Sequence, residues 1–567
     1  MRPIPQSRHV IAAAVLVLTA AACTWFAWTD WRVCDEQVRA LTALEKSRNP
    51  DLYRDDAVFG SSGVWRFASP SFQAALGALA GLGADEFAPF RILTSLAVIL
   101  YLAGMYALLY SQTKSWSVSL FVAIVSMTVI HSLGGGVWGA GSLAAATPAG
   151  LVTAAVPLLV LAYLWQQDRK QLLLVFGFLG ILANVHPAGA GNLAILLLIV
   201  YLAQRRFRPR ALLTAAGCGA ASLLGAMPLL WYRWVLASGL ARFAPAEAGA
   251  DIGHAVKHAG WDALYPHLLD GVWAWLFFIA ALLVISAVIL SRDGRFQIRN
   301  FATWVWWIIG AVAVALLFQG AAQLWGLASG ATAPVGFARA SGLIFLPLYV
   351  LLAHAVTTLF RVARGHRALA RWGCAFFAAA WMAPSDTLRV PRLALMDTVT
   401  MFIRVEEKKP HAVQAHHKEY NQWRELSAIA RWMDANSPPG ALLVFDSAEL
   451  RLRSRRGVLA CRTDVDWLYR CLPGAMPAWG LTLERQQKAL RDGTRASLET
   501  LAADPAAREG FLAATPWYVV LLPSDAAAHD LPEVPPQGWG RYYVLCRLHG
   551  GSPTTVPATA PATAPSK

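Results

Sequence analysis

The chain has 567 residues, of which 56% are hydrophobic and 15% are charged, whereas roughly 25% of the residues are charged in an ordinary soluble domain. The formal net charge is +15, and a strongly basic protein raises the question of nucleic acid binding. Much of the basic excess, however, lies in short clusters between long apolar segments, as in loops on the cytoplasmic side of a membrane. The composition therefore excludes a soluble enzyme, and the placement of the charges argues against nucleic acid as a partner.

Apolar segments long enough to cross a bilayer recur through the first 384 residues. They predict eleven transmembrane spans, at residues 9–28, 91–111, 116–133, 147–165, 171–186, 189–204, 211–231, 271–291, 301–320, 341–361 and 371–384. The spans at 171–186 and 189–204 are short enough to form a shallow hairpin that turns at Asn184-Val185-His186-Pro187. The last span is also short, and it decides on which side of the membrane the rest of the chain lies.

The basic residues predict the orientation of these spans. With a cytoplasmic N-terminus, the inner segments hold sixteen Lys or Arg residues, and the short outer loops hold four. This asymmetry follows the positive-inside rule. Residues 1–28 also fit a signal peptide, with a weak lipoprotein-type cleavage site at residues 20–23, but the aromatic residues that continue the run as far as Trp28 favour an uncleaved span.

The pattern divides the chain into four parts. Residues 1–384 form the transmembrane domain, with a large first outer loop at 29–90, and residues 385–418 form a connector. Residues 419–550 are predicted to be an extracytoplasmic α/β domain, and residues 551–567, rich in Pro, Ala and Thr, a disordered tail. In the α/β domain we expect helices at 420–436, before the stop signal Ser437-Pro438-Pro439-Gly440, and at 483–501, and strands at 442–446, 457–460, 517–522 and 542–545.

Chemistry-bearing residues gather in the outer parts. The inner segments are at most 11 residues long, too short for a nucleotide-binding domain. The first outer loop, by contrast, is rich in carboxylates, including Asp35, Glu36, Asp55 and Asp56. One carboxylate can take a proton from a hydroxyl, and a second one nearby can raise its pKa or share a cation with it.

This organisation resembles the GT-C superfamily of integral-membrane glycosyltransferases. Asp35-Glu36 is similar to the acidic pair that those enzymes carry soon after the first span. The run Asn49-Pro50-Asp51-Leu52-Tyr53-Arg54-Asp55-Asp56 resembles the Pro-x-Leu-Tyr-x-x-Asp run of many bacterial multi-span relatives, and His186-Pro187 also recurs in them. The resemblance implies an α-helical polytopic fold with about 11 spans in a bacterial inner membrane and an extracytoplasmic C-terminal domain.

The resemblance also implies a reaction. The donor is a sugar on a polyprenyl phosphate, drawn from among the membrane lipids, and an unknown glycan, lipid or protein on the outer face accepts the sugar. Asp35 is the first choice for the base, with Glu36, Asp55 and Asp56 as alternatives. Arg339 would hold the leaving phosphate by two parallel hydrogen bonds, and His186 would orient it. Alternatively, Arg339 is an arginine that extends to the lipid headgroups at the interface, and His186 only caps a helix.

Other readings stay open. His254, His258 and Asp262 are spaced by four, as metal ligands or as an exposed polar helix face.

No cofactor is required, although a divalent cation shared by carboxylates is compatible with the acidic loop. The four outer cysteines permit disulfides. Tryptophans at span ends fit interfacial anchoring, although those of the outer pocket, such as Trp138, could instead stack on a sugar. A transporter or lipid flippase would carry ionisable groups inside its spans, which are almost without them here, and an inactive protein that presents a C-terminal binding domain remains a further alternative.

Overall fold

The computed structural model is mostly helical. It describes residues 6–54, 56, 58–60, 64–82, 85–129, 138–165, 168–240, 298–329, 336–403, 408–471, 473–492, 496–498, 501, 516–525 and 531–549. All statements below concern these residues.

The first half of the described chain forms ten helices. They are α1 (Gln6–Thr29), α2 (Asp35–Arg48), α3 (Pro70–Leu79), α4 (Ala88–Thr113), α5 (Trp116–Ser126), α6 (Pro148–Trp165), α7 (Arg169–Ala183), α8 (Pro187–Gln204), α9 (Pro209–Gly225) and α10 (Met227–Leu240). Several begin with proline, whose fixed φ and missing N–H suit the first turn of a helix.

Six further helices follow. Helix α11 (Phe301–Ala313) continues through a π-helical turn, Val314–Phe318, into α12 (Gln319–Ser329), and the 3₁₀ helix Phe337–Ile344 leads into α13 (Phe345–Val362). The others are α14 (Arg367–Met382), α15 (Arg389–Val399) and α16 (His411–Asn436).

Six helical segments of the described chain are long and apolar enough to cross a membrane: Ser7–Thr29, Ala88–Thr113, Pro148–Trp165, Pro187–Gln204, Phe301–Trp325 and Arg339–Val362. Helices α9 and α10 add a seventh if the pair, bent by 61°, is one span. Helices α5, α7 and α14 correspond to predicted spans but have only 11, 15 and 16 residues, and the predicted span at 271–291 lies outside the described residues. The protein is thus a multi-pass membrane protein, and the count of eleven stays a prediction.

The bend between α9 and α10 has a local cause. Nδ2 of Asn184, just after α7, donates to the carbonyl oxygen of Gly225 at 2.9 Å, and its Oδ1 accepts from the N–H of Leu229 at 2.9 Å. Helices α7 and α9 can approach closely because Gly180 has no side chain. A Cβ at this position would lie only 2.1 Å from the carbonyl oxygen of Ser222. The predicted turn at residues 184–187 therefore separates α7 from α8 and also fixes the bend.

The chain leaves the bundle at the end where the first long loop lies. Arg32, just after α1, pairs with Asp386 in the turn after α14, with 3.5 Å between Nη1 and Oδ1. In the same turn, the hydroxyl of Thr387 accepts a hydrogen bond from the N–H of Val129 at 3.1 Å. The turn after α14 therefore lies beside the residues that follow α1.

The C-terminal region contains a four-stranded sheet. Strands β1 (Leu442–Val444), β2 (Gly457–Val458), β3 (Trp517–Leu521) and β4 (Val544–His549) have the spatial order β2-β1-β3-β4. Strand β1 is parallel to β2 and β3, and β4 is antiparallel to β3. Each strand overlaps a predicted one. Helices α17 (Ala448–Ser454), α18 (Val465–Cys471) and α19 (Met476–Asp492) accompany the sheet, and α19 begins earlier than the helix predicted at 483–501.

One hydrophobic core joins the sheet to the first long loop. Leu41 of α2 and Phe72 of α3 belong to the same buried cluster as Met433 of α16, Leu443 of β1 and Leu545 of β4. Burial of such side chains contributes about 1.5–3 kcal/mol each. The segment between α1 and α4 and the C-terminal region therefore stabilise each other.

All seven cysteines are free thiols in the structure. The disulfides that the four outer cysteines would permit are not formed.

Candidate active site

His186 caps the amino terminus of α8. The backbone N–H of Gly189 donates to Nδ1 of His186 at 2.9 Å, and a Cβ on Gly189 would lie 2.7 Å from this nitrogen. The position of the ring therefore requires glycine at residue 189. Because Nδ1 accepts a hydrogen bond, the proton of the imidazole is on Nε2, and Nε2 is a donor.

Arg339 lies beside this ring. It belongs to the 3₁₀ helix Phe337–Ile344, and the start of this helix is held against α8 because Nδ2 of Asn192 donates to the carbonyl oxygen of Gly336 at 2.8 Å. Nη1 of Arg339 is 3.5 Å from Nε2 of His186. A guanidinium group has only donors, so two donors lie side by side at the positive end of α8. Such an arrangement suits an anion whose oxygens lie to one side of the pair and accept hydrogen bonds from both groups.

Asp35 and Glu36 form the first turn of α2. The side chain of Gln37 fixes this turn, since its Oε1 accepts from the N–H of Cys34 at 3.3 Å and its Nε2 donates to the carbonyl oxygen of Leu143 at 2.7 Å. Asp35 is exposed at the surface, yet the protein packed around it raises the pKa of its carboxyl group. A carboxylate with a raised pKa is a stronger base than an ordinary aspartate.

Asp35 faces one edge of the C-terminal sheet. The charges that act on its pKa include Arg39 in the next turn of α2, which lowers it, Asp446, which raises it, and Arg462, which lowers it. Asp446 follows β1 and Arg462 follows β2, and the N–H of Arg462 donates to Oδ1 of Asp446 at 2.8 Å. The carboxyl ends of parallel strands meet at one edge of a sheet, a common place for ligands. Charges from both ends of the sequence therefore act on the carboxyl group of Asp35.

The other two predicted carboxylates have different outcomes. Asp55 lies outside the described residues. Asp56 is 2% exposed: its Oδ1 accepts from the N–H groups of Val58 and Phe59 at 2.9 Å each, and its Oδ2 accepts from the N–H of Val458 at 3.0 Å. A carboxylate with these bonds holds its own turn and strand β2 in place. These contacts therefore indicate that Asp56 has a structural role and does not transfer a proton.

A cavity of about 420 Å³ lies between α3 and α10. Its lining is mostly apolar and includes Pro70 of α3 and Leu229 and Trp231 of α10. Asn184, two residues before His186, also lines it. The cavity thus adjoins the turn that carries the phosphate-binding candidate.

Two solved structures are similar to this chain over most of its length. One is the crystal structure of the oligosaccharyltransferase of Archaeoglobus fulgidus in complex with Zn and sulfate, with 14% identity, 92% of this chain and 69% of that chain covered, and a TM-score of 0.47. The other is that of ArnT from Cupriavidus metallidurans bound to undecaprenyl phosphate, with 13% identity, 97% and 100% covered, and a TM-score of 0.49. Both similarities concern the overall fold. No family model and no curated protein matches the sequence.

The sequence analysis did not single out three charged residues that the structure buries, Arg451, Asp464 and Glu425. Arg451 is 1% exposed and lies between two carboxylates, with 2.7 Å from Nε to Oδ2 of Asp56 and 3.0 Å from Nη1 to Oδ1 of Asp464. Glu425 is 6% exposed and accepts hydrogen bonds from four successive backbone N–H groups of residues 540–543. Periodicity gave no signal for them, because the contacts that bury them come from other parts of the chain.

Trp138 fits neither the anchoring role nor the sugar-stacking role. Its side chain is fully buried, and its Nε1 donates to the hydroxyl of Tyr101 at 2.8 Å. Trp138 therefore packs within the helical bundle.

Metal binding has no candidate in the described part of the chain, where no group of three or more His, Cys, Asp or Glu residues is arranged to hold an ion. His254, His258 and Asp262 lie outside the described residues.

Proposed function

We propose that this protein is a membrane glycosyltransferase of the GT-C type, which moves a sugar from a polyprenyl-phosphate donor to an acceptor on the outer face of a bacterial inner membrane. The observation that carries the proposal is the pair of donors, Nε2 of His186 and the guanidinium of Arg339, at the amino terminus of α8. Together they suit the phosphate that leaves during such a transfer.

The reaction assigns a role to each group. The acceptor oxygen attacks the anomeric carbon of the sugar, the bond from that carbon to the phosphate oxygen breaks, and the acceptor proton passes to the carboxylate of Asp35. The raised pKa of Asp35 suits this transfer, and Glu36 is the neighbouring alternative. The polyprenyl phosphate leaves with the bonding electron pair, and His186 and Arg339 stabilise the charge that develops on it.

The lipid part of the donor needs an apolar surface close to this phosphate site. The cavity between α3 and α10 offers one, since Asn184 in its lining precedes His186 by two residues. Its volume, about 420 Å³, accommodates a few isoprene units of the chain, and the rest would extend along the lipid-facing helices.

Binding of undecaprenyl phosphate to the purified protein tests the phosphate site, with undecaprenol, which lacks the phosphate, as the matched control ligand. We expect Arg339→Gln to weaken undecaprenyl phosphate binding about ten- to a hundredfold, because a hydrogen bond to a charged group contributes roughly 1.5–3 kcal/mol. His186→Asn is the sharper variant, since asparagine still caps a helix but lacks the Nε2 donor. Arg491→Gln, an exposed position in α19, should change nothing. Equal binding of the two ligands by the unaltered protein would refute the site.

Transfer itself is tested with radiolabelled polyprenyl-phosphate sugars and membranes from a deletion strain, whose missing surface glycan identifies the acceptor. Replacing Asp35 and Asp55 together by asparagine should abolish transfer without lowering the amount of protein. Full activity of that variant would remove the catalytic assignment. A protease-accessible tag at the C-terminus in spheroplasts, but not in intact inverted vesicles, is expected from the proposed orientation.

A further inference from the structure

Helix α15 turns an apolar stripe away from the protein. Leu395 is 64% exposed, Val399 is 69% exposed, and Phe402, in the turn that follows the helix, is 83% exposed. Their spacing of four and three residues aligns them on one side. A surface helix of a water-soluble body has the opposite arrangement, with its apolar stripe against the core.

The other side of α15 faces the protein and carries a polar contact. Leu393 and Thr400 are buried there. Between them, Oδ1 of Asp397 lies 3.2 Å from Nε2 of His417 and 3.6 Å from Nζ of Lys409. The orientation of the helix is therefore fixed by α16, and the exposed stripe is a property of the folded protein.

The position of α15 indicates what covers this stripe. The preceding turn is held at the end of the bundle by the Asp386–Arg32 ion pair, and α15 packs beside α1. Helix α14, which leads into that turn, carries Trp372 and Phe376, each 75% exposed, as expected of side chains that face lipid. The stripe on α15 thus continues an apolar surface that already faces the bilayer.

The charged residues of α15 also indicate that the bilayer covers the stripe. Arg389 and Arg392 lie in the first turn of α15, and Arg392 is exposed. Basic side chains beside an apolar stripe are typical of helices that lie in the plane of a membrane, where the charges meet anionic headgroups.

We infer that α15 lies in the bilayer interface on the side of the C-terminal region, with Leu395, Val399 and Phe402 among the acyl chains and Arg392 at the headgroups. The helix thereby fixes the height of the C-terminal sheet above the membrane, because α15 and α16 are joined through Asp397. This inference is independent of the proposed enzyme activity.

Depth-dependent quenching in nanodiscs with the full-length protein tests it. A polarity-sensitive fluorophore is attached at Phe402→Cys, at Leu395→Cys and, as the control, at Asp492→Cys, an exposed position in α19. The parent protein, labelled in parallel, gives the contribution of the native cysteines. Nitroxide lipids labelled near the top of the acyl chain should quench the first two probes and blue-shift their emission, while the control probe stays unquenched.

Two outcomes would overturn the inference. A water-like emission at Phe402→Cys without quenching would mean that the stripe is exposed to solvent, and a blue-shifted emission without quenching would mean that a protein surface covers it. Nanodiscs with and without anionic lipid complete the test: the quenching should be stronger with anionic lipid, and the variant Arg392→Gln should lose this difference.

Discussion

Arg451 and Asp56 come from distant parts of the sequence, yet Nε of the arginine lies 2.7 Å from Oδ2 of the aspartate, with both side chains excluded from solvent. Asp464 lies on the other side of the guanidinium group, and the ring of Phe59 lies 4.9 Å from its central carbon. The first outer loop is thereby joined to α17 and to the segment before α18. Desolvation of three charges is costly, so the cluster holds only while all three members are present.

We therefore expect Arg451→Met to destabilise the protein by about 3–5 kcal/mol, because it leaves two buried carboxylates without a counter-charge. Thermal unfolding in detergent measures the effect. Arg455→Met is the matched control, since the side chain of Arg455 is 52% exposed and such surface pairs contribute about 0–1 kcal/mol. Equal melting temperatures for the two variants would contradict the role given to the cluster.

Gly189 tests the position of the His186 ring. A methyl group at this residue would lie 2.7 Å from Nδ1, whereas nothing lies within 4 Å of a Cβ on Gly191, two residues further along the same helix. Gly189→Ala should thus displace the imidazole and weaken undecaprenyl phosphate binding about tenfold, equivalent to roughly 1.4 kcal/mol.

Gly191→Ala should leave the affinity for undecaprenyl phosphate unchanged. It should also stabilise α8, because alanine is more favourable than glycine within a helix by about 1 kcal/mol. A loss of affinity in both variants would mean that the helix, and not the ring, responds to the substitution.

The sequence predicted the features that depend on neighbours along the chain. A helix that crosses a bilayer needs about 20 apolar residues in a row, so the apolar runs of the sequence are enough to predict α1, α4 and α6. The cap at His186 is local as well, because proline and glycine follow it within three residues. The strands β1 and β3 are short apolar runs rich in Leu and Val, and their predicted positions also overlap the observed ones.

Features that depend on distant contacts were not predicted. Arg451, Arg453, Arg455 and Arg456 look alike in the sequence, and only packing against Asp56 and Asp464 distinguishes the first of them. The same cause explains why Asp56 was taken for a candidate base: a motif gives the residue type but not the direction of its side chain. The proximity of Asp35 to Asp446 could not be predicted either, because it arises only when the edge of the sheet at β1 folds against α2.

Asp35→Asn is expected to stabilise the protein at neutral pH. The protein packed around the exposed Asp35 side chain raises the pKa of its carboxyl in the folded state. Ionisation is therefore more costly there than in the unfolded chain, and the cost is present above the folded-state pKa. Asparagine removes it, and the melting temperature should rise at pH 7.5. On acidification the difference should shrink, and it should vanish below the unfolded-state pKa, where the carboxyl is protonated in both states. A difference that does not change with pH would show that the gain has another origin.

Glu425 organises the loop before β4. Its Oε2 accepts from the N–H groups of Tyr542 at 2.8 Å, Tyr543 at 3.1 Å and Gly540 at 3.3 Å, and Oε1 accepts from that of Arg541 at 3.3 Å. A glutamine at this position would keep one acceptor oxygen but lose the charge and bring an NH₂ group toward the N–H donors. We therefore expect Glu425→Gln to cost about 1–3 kcal/mol.

Hydrogen exchange distinguishes this local effect from general destabilisation. The amides of residues 540–543 should exchange faster in Glu425→Gln than in the unaltered protein, while those of β1 change less. Glu419→Gln is the control on the same helix, because the side chain of Glu419 is 49% exposed and pairs with Arg389 at the surface. Unchanged exchange at residues 540–543 would mean that the packing of Tyr543 against Phe445, and not the carboxylate, holds the loop.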